Sequence, residues 1–151
     1  MAKEEFKCVY RLRVRWAEVD MQKVVFNSHY LTYIDTAFAD YWRAIGLDYP
    51  DGYVSQYAND IFLRKVTVEY LSSARYDDEL AVHFRVAKLG RSSMTYLVEL
   101  WREGQAPSDA PLLTAELVYV NVDVSTMKAA PLPDDLRARV RAYERTAPAE
   151  G

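Results

Sequence analysis

The residues best suited to chemistry lie together in one segment, Trp16-Ala17-Glu18-Val19-Asp20-Met21-Gln22-Lys23-Val24-Val25-Phe26-Asn27-Ser28-His29-Tyr30. Two carboxylates, Glu18 and Asp20, precede the apolar triplet Val24-Val25-Phe26, which runs into Asn27 and Ser28. Asn and Ser suit the cap of a helix, and a long helical pattern follows them. A helix start presents unpaired N–H groups and the positive end of a dipole. Those groups can hold an anion, or a carbonyl oxygen that is becoming one. A carboxylate of ordinary acidity is ionised at neutral pH and serves as base or nucleophile. The two together are the minimal equipment for acyl transfer. Spacing alone is a weak argument, since Asp at a strand end also serves as a turn or cap residue. His29 follows Asp20 by nine residues on the helix's first turn. It could hydrogen-bond a substrate or order a water, or it is an ordinary half-buried polar residue.

Other chemistries find little support. Two histidines, one cysteine and no tight carboxylate cluster predict no metal site. Gly90 stands alone, so no glycine-rich phosphate loop is expected, and no Gly-x-Ser-x-Gly elbow is present. His83 sits mid-strand and reads as structural or interfacial. Tyr33, Phe38 and Tyr41, at helical spacing, either line a pocket or belong to the core. Asn59, Asp60 and Thr67 are further pocket candidates that the sequence does not place.

The elements that must position these residues follow from periodicity. From Phe6 to Trp16, alternate residues are apolar (Phe6, Cys8, Tyr10, Leu12, Val14, Trp16), which predicts a half-buried strand. Its other face, with Lys7, Arg11, Arg13 and Arg15, is either solvated or a contact for phosphate or a partner. Tyr30, Ile34, Phe38, Tyr41, Trp42 and Ile45 recur at three- and four-residue spacing up to Gly46, predicting one long amphipathic helix. Residues 51–60 read as a turn and an irregular connection. Strands are expected over 61–71, 80–89, 94–101 and 112–122, with a hairpin loop at 103–109 between the last two. Pro133 followed by Asp134 and Asp135 starts a short helix carrying Leu136, Val140 and Tyr143. One long helix against an antiparallel sheet is an α+β arrangement.

With 151 residues, the chain is of single-domain size and buries roughly 70% of its unfolded surface. One domain is expected over residues 1–145, with a flexible tail at 146–151. Half the residues are hydrophobic and 27% are charged, which excludes intrinsic disorder. A net charge of −3 gives no footprint for nucleic acid or an anionic membrane. No apolar stretch approaches membrane-spanning length, and Met1-Ala2-Lys3-Glu4-Glu5 leads into no apolar targeting segment. With a lone Cys8, these features point to a cytoplasmic protein. Twelve Tyr, three Trp and five Phe raise the odds of an oligomer.

Glu18-x-Asp20 followed by Val24-Val25-Phe26-Asn27-x-x-Tyr30 resembles the signature of the 4-hydroxybenzoyl-CoA thioesterase family, and within it the Tol-Pal-associated acyl-CoA thioesterase branch. The likeness continues through Val68-Glu69-Tyr70-Leu71, Ala74-Arg75-Tyr76-Asp77-Asp78-Glu79-Leu80, Gly90-Arg91-Ser92-Ser93, Leu112-Leu113-Thr114-Ala115-Glu116 and Pro131-Leu132-Pro133. It spans about residues 8–140. The resemblance implies a hotdog fold, a five-stranded antiparallel sheet wrapped round one long helix, with a short C-terminal helix here. It implies hydrolysis of an acyl-CoA to a free acid and CoA, with no separate cofactor. Asp20 becomes the catalytic carboxylate, as nucleophile or general base, and the Asn27 N–H polarises the thioester carbonyl. His29 joins this catalytic set. Arg91, Ser92 and Ser93 become contacts for the CoA moiety, where Arg suits phosphate. Active sites between subunits of a homodimer or homotetramer are implied as well. The chain departs from the family at Lys23, where relatives commonly carry Gly; a positive φ there would cost a Lys residue. The alternatives are a hotdog hydratase or dehydratase, which needs an imidazole beside the acid, and a non-catalytic acyl-CoA-binding module.

Overall fold

The structure is a computed structural model, and it describes residues 3–106 and 109–151. Pro107 and Ser108 of the expected hairpin loop, with Met1 and Ala2, lie outside the described residues. In chain order the elements are β1 (Cys8–Arg13), α1 (His29–Ala44), α2 (Asp51–Tyr57), β2 (Asn59–Tyr70), β3 (Glu79–Leu89), β4 (Ser93–Arg102), β5 (Leu113–Asp123), α3 (Asp134–Tyr143) and β6 (Ala149–Glu150). The five long strands form one antiparallel sheet in the order β1-β3-β4-β5-β2. This is the α+β hotdog arrangement expected from the sequence.

The sheet holds α1 against one face because both surfaces are apolar with the right period. On α1, Tyr30, Tyr33, Ile34, Ala37, Phe38, Tyr41 and Trp42 are buried, a stripe at three- and four-residue spacing. They meet alternate sheet residues such as Leu80, Val82, Phe84 and Val86 of β3 and Tyr96, Val98 and Leu100 of β4. Burial of each such large side chain stabilises the fold by about 2 kcal/mol. Phe38 is central: its ring stacks on Tyr119 at 4.5 Å and meets Tyr96 edge-on at 5.6 Å. Phe38 and Tyr41 are therefore core residues. α1 ends at a Schellman motif, with Gly46 at φ +80, Gly46 N–H on Arg43 O and Leu47 N–H on Trp42 O, both 3.1 Å. Arg139 of α3 donates to the carbonyls of Ile45 and Gly46 at 3.0 and 3.1 Å, tying α3 to that helix end.

Three expectations are corrected. The first strand is shorter than the alternation from Phe6 to Trp16: Phe6 packs on the outer face of the sheet, 5.8 Å from the His83 ring, and Trp16 enters a 3-10 turn, Trp16–Glu18, with its ring exposed. Residues 51–60 are not irregular. They hold α2, whose polar sequence shows no apolar stripe because Tyr53 is its only buried residue. The last residues do not simply fray. Ala149 and Glu150 pair with Lys88 and Leu89 of β3, and the Glu150 carboxylate accepts from Arg141 at 2.6 and 2.8 Å.

One buried network links the C-terminal segment to the core. The Glu144 carboxylate accepts from the Tyr41 hydroxyl at 2.7 Å and the Val86 N–H at 2.9 Å. Burial raises its pKa above the ordinary carboxylate range, against these hydrogen bonds. No helix among the described residues is long and apolar enough to cross a membrane.

Candidate active site

The segment from Glu18 to Tyr30 forms a tight hairpin that runs into α1. Val19 bridges Val25, and Val24 bridges Arg75. At the tip, Lys23 N–H donates to Asp20 O at 2.9 Å and Asp20 N–H donates to Val24 O at 3.0 Å. This is a three-residue hairpin loop whose last member takes the left-handed conformation. That member is Lys23, at φ 65. The conformation that Gly adopts freely is thus retained with a Lys in place. Asp20 Oδ1 accepts the Gln22 N–H at 2.8 Å, which fixes the carboxylate at the base of the tip.

Glu18 anchors the hairpin from below. It is buried at 7% exposure, and it accepts from Arg15 N–H at 2.8 Å, Arg15 Nε at 3.0 Å and the Tyr33 hydroxyl at 2.8 Å. Burial pushes its pKa up, but the Arg15 and Tyr33 hydrogen bonds outweigh that and hold it below the ordinary value. Tyr33 pays out no surface to the cleft; its hydroxyl is committed to Glu18.

Asp20 and Asn27 line one cleft of about 420 Å³, with Phe26, Tyr30, Tyr70 and Leu71 among its walls and Ser72 and Ser73 beyond. Asn27 stands immediately before Ser28, the cap residue of α1, and the Ser28 side chain makes no capping hydrogen bond. The first turn of the helix is left open toward this region. Phe26 N–H is bound to Glu18 O and His29 N–H to Phe26 O, whereas the Asn27 N–H has no partner among the described residues. The Asn27 carbonyl accepts the Tyr70 hydroxyl at 3.3 Å. Tyr70 meets Tyr30 edge-on at 5.7 Å, and the Tyr30 hydroxyl accepts the Ala74 N–H at 3.0 Å. Phe26, Tyr70 and Leu71 are each about half exposed, and Met21 at the hairpin tip is almost fully so. An apolar rim therefore surrounds a carboxylate and an open helix start.

The other candidates lie elsewhere. His29 is the first residue of α1, and its ring packs edge-on to Phe26 at 6.1 Å without lining the cleft. Arg91 and Ser92 lie in the turn between β3 and β4, and Ser93 begins β4, at the far end of β3 from Arg75. Eleven residues at about 3.3 Å each put some 35 Å of strand between them and the cleft. Asn59 is buried and accepts from Asn121 at 2.8 Å, Asp60 accepts from Tyr49 at 3.1 Å, and Thr67 faces a separate groove on the outer side of the sheet. Tyr70 also lines the cleft, and no sequence pattern points to it. It lies more than forty residues from Asn27, so no local spacing connects them.

Residues 14–140 match the thioesterase-like superfamily. The chain belongs to that superfamily. This thioesterase-like protein is 28% identical over 102 residues (68% of the chain, 78% of the relative) to a protein of Aquifex aeolicus strain VF5 that is named provisionally as an esterase. Among solved structures, PA5185 of Pseudomonas aeruginosa superposes with a TM-score of 0.79 at 24% identity, covering 96% of each chain. Slr0204 of Synechocystis, a 1,4-dihydroxy-2-naphthoyl-CoA thioesterase, gives 0.77 at 19% identity over 87% of this chain and 93% of its own. SAV2348 of Staphylococcus aureus, solved in complex with CoA, gives 0.81 at 14% identity over 94% of this chain and 86% of its own. At these identities, the structural likeness is one of fold.

Proposed function

We propose that this protein hydrolyses an acyl-CoA thioester to a carboxylic acid and CoA. The observation that carries the reading is that the Asp20 carboxylate and the open start of α1 at Asn27 line the same cleft. The Asn27 N–H donates to the thioester carbonyl oxygen as negative charge develops on it. Asp20 then acts in one of two ways. As nucleophile it attacks the acyl carbon, forming a mixed anhydride as the C–S bond breaks; the thiolate leaves and takes a proton from water, and a second water cleaves the anhydride. As general base it removes a proton from a water that attacks the same carbon, and that proton passes to the departing sulfur. The apolar rim of Phe26, Tyr70 and Leu71 suits the acyl group.

The Val24-Val25-Phe26-Asn27-x-x-Tyr30 string supports placing the protein in the 4-hydroxybenzoyl-CoA thioesterase family, in the Tol-Pal-associated branch. A buried, unbridged Cys8 agrees with a cytoplasmic setting. A hydratase reading loses ground because the His29 ring packs outside the cleft. The hairpin keeps its form with Lys at position 23, so that departure from the family lends no support to a purely binding role.

The active form in this reading is a homodimer, or a tetramer of two such dimers. β2 is an edge strand of 12 residues with Phe62, Leu63 and Val66 exposed. Antiparallel pairing of two β2 edges satisfies their open backbone groups. It also brings the end of a second copy that carries the β3–β4 turn beside this cleft, where Arg91, Ser92 and Ser93 can meet the CoA moiety. Thiol release from short, long and aromatic acyl-CoAs tests the activity. Turnover on at least one class is expected. Tight binding without thiol release on any class overturns it in favour of a binding module.

A further inference from the structure

The basic face of β1 takes part in nothing described so far. In the structure Lys7 and Arg11 of that face, with the 3-10 turn Lys3–Glu5 before it, border a groove of about 320 Å³ on the outer side of the sheet. Five cations, Lys3, Lys7, Arg11, Arg102 and Arg145, line this groove against two acids, Glu4 and Glu103, with Trp101 and His83 among them. Arg11 is balanced by Glu103 at 2.8 Å. Lys3 lies over the Trp101 ring at 4.2 Å and Lys7 over the Tyr143 ring at 4.5 Å, while Arg145 donates to the backbone carbonyl of Glu4 at 3.2 Å. Among the described residues, none of Lys3, Lys7 and Arg145 forms an ion pair with a carboxylate. Aromatic rings and a carbonyl hold these cations in place without neutralising them. The concentration is local, since the whole chain carries a net charge of −3.

Two further observations concern His83. The His83 Nδ1 is buried without a hydrogen-bond partner. Burial, and then the Lys3 and Arg11 charges, depress the His83 pKa to about 4.

We propose that this groove is a binding site for a compact, multiply charged phosphate anion. A phosphate group offers three oxygens and up to two charges to two ammonium groups and a planar guanidinium fork, more acceptor sites and more charge than a single carboxylate brings. A hollow of this size fits a diphosphate or the phosphates of a nucleotide better than a length of peptide. The groove also neighbours the Asp20 cleft. Arg102, at its edge, donates to the carbonyl of Ser73 at 3.0 Å, and Ser73 lines that cleft. The anion therefore has two sources: the phosphates of a thioester substrate, or a free oligophosphate.

The chain has only two histidines, so imidazole NMR reads both places at once, His83 for the groove and His29 for the start of α1. Inorganic pyrophosphate and adenosine 3′,5′-bisphosphate are titrated at constant ionic strength, with a glutamate-rich peptide as the carboxylate control. A saturable shift at His83, an upward move of its pKa, and at least about tenfold weaker binding in Lys3→Gln/Lys7→Gln are expected. No saturable shift at His83, an equal response to the peptide, or undiminished binding in the folded double variant overturns the proposal. Binding needs no turnover, so this result is independent of the thioesterase reading. If the double variant also raises KM for a thioester at unchanged kcat, the source is the substrate's own phosphates. If KM is unchanged while pyrophosphate binding is lost, the ligand is a free oligophosphate.

Discussion

Glu18 and Asp20 are two carboxylates of one motif with opposite duties. Glu18 is buried and saturated by Arg15 and Tyr33, so it builds the hairpin. Asp20 is half-buried, and Gln22 N–H is the only donor to its carboxylate among the described residues, so it is available to a substrate. Because the pKa of Glu18 is held below its ordinary value in the fold, its contribution to stability is present above the unfolded carboxylate pKa. That contribution is lost as the pH falls through the folded pKa. Glu18→Gln is expected to cost about 2 kcal/mol at pH 7, the loss of hydrogen bonds to a charged group. In thermal melts the gap between wild type and variant should close on acidification. A gap that persists unchanged at low pH contradicts the role given to Glu18. The sequence showed both acids but could not divide their duties, because the deciding partner, Tyr33, lies on the facing helix.

At the scale of elements, the hairpin tip is strained: Lys23 is one of four described residues other than Gly with a positive φ, beside Ala58, Asp77 and Met127. A non-glycine residue in the left-handed region costs roughly 1–2 kcal/mol, offset in part by the chain entropy that Gly loses on folding. Lys23→Gly is expected to stabilise the protein by about 1 kcal/mol in urea unfolding and to leave turnover unchanged. A loss of stability would show that the Lys23 side chain makes contacts that outweigh the strain. The sequence exposed the hairpin only through its resemblance to the family, whereas α1 was readable from the spacing of Tyr30, Ile34, Phe38, Tyr41 and Trp42 alone. Strands β3 to β5 were equally legible, since one face of each is apolar and buried, whereas β2 is largely exposed beyond Ile61. What escaped was decided by distant contacts. Phe6 continues the alternation of β1 yet lies on the opposite face because His83 and Arg85 receive it there. α2 is polar in composition and is fixed by Tyr53, whose hydroxyl donates to Asn121 at 2.7 Å. The tail is held by Glu150 and two arginines of α3, partners that no local pattern announces.

At the scale of the whole molecule, the sheet has two open long edges, and the sequence treats them differently. The β1 edge carries Arg11, Arg13 and Arg15, each paired with an acid: Arg13 with Glu79 and Asp77, Arg15 with Glu18, and Arg11 with Glu103. Charged edges resist pairing with another sheet. The β2 edge exposes Phe62, Leu63 and Val66 instead, and it is the edge assigned to a second copy. Val66→Glu places like charges near each other in such a dimer and is expected to shift it toward monomer in light scattering, with the circular dichroism unchanged. An unaltered assembly would exclude β2 as the dimer seam. In the proposed dimer the cleft of one chain would meet the Arg91, Ser92 and Ser93 turn of the other, which lies at the far end of β3 from its own cleft.

The central claim is that Asp20, held beside the open start of α1, carries the chemistry, and thiol release by Asp20→Asn measures it most directly. The substitution keeps the side chain's shape and an oxygen for the Gln22 N–H, so a folded protein with an unchanged melting temperature is expected. Its kcat should fall by at least about a hundredfold on the best acyl-CoA, the scale of losing one acid–base group. A folded variant that retains full turnover would contradict the account and move the chemistry away from this cleft.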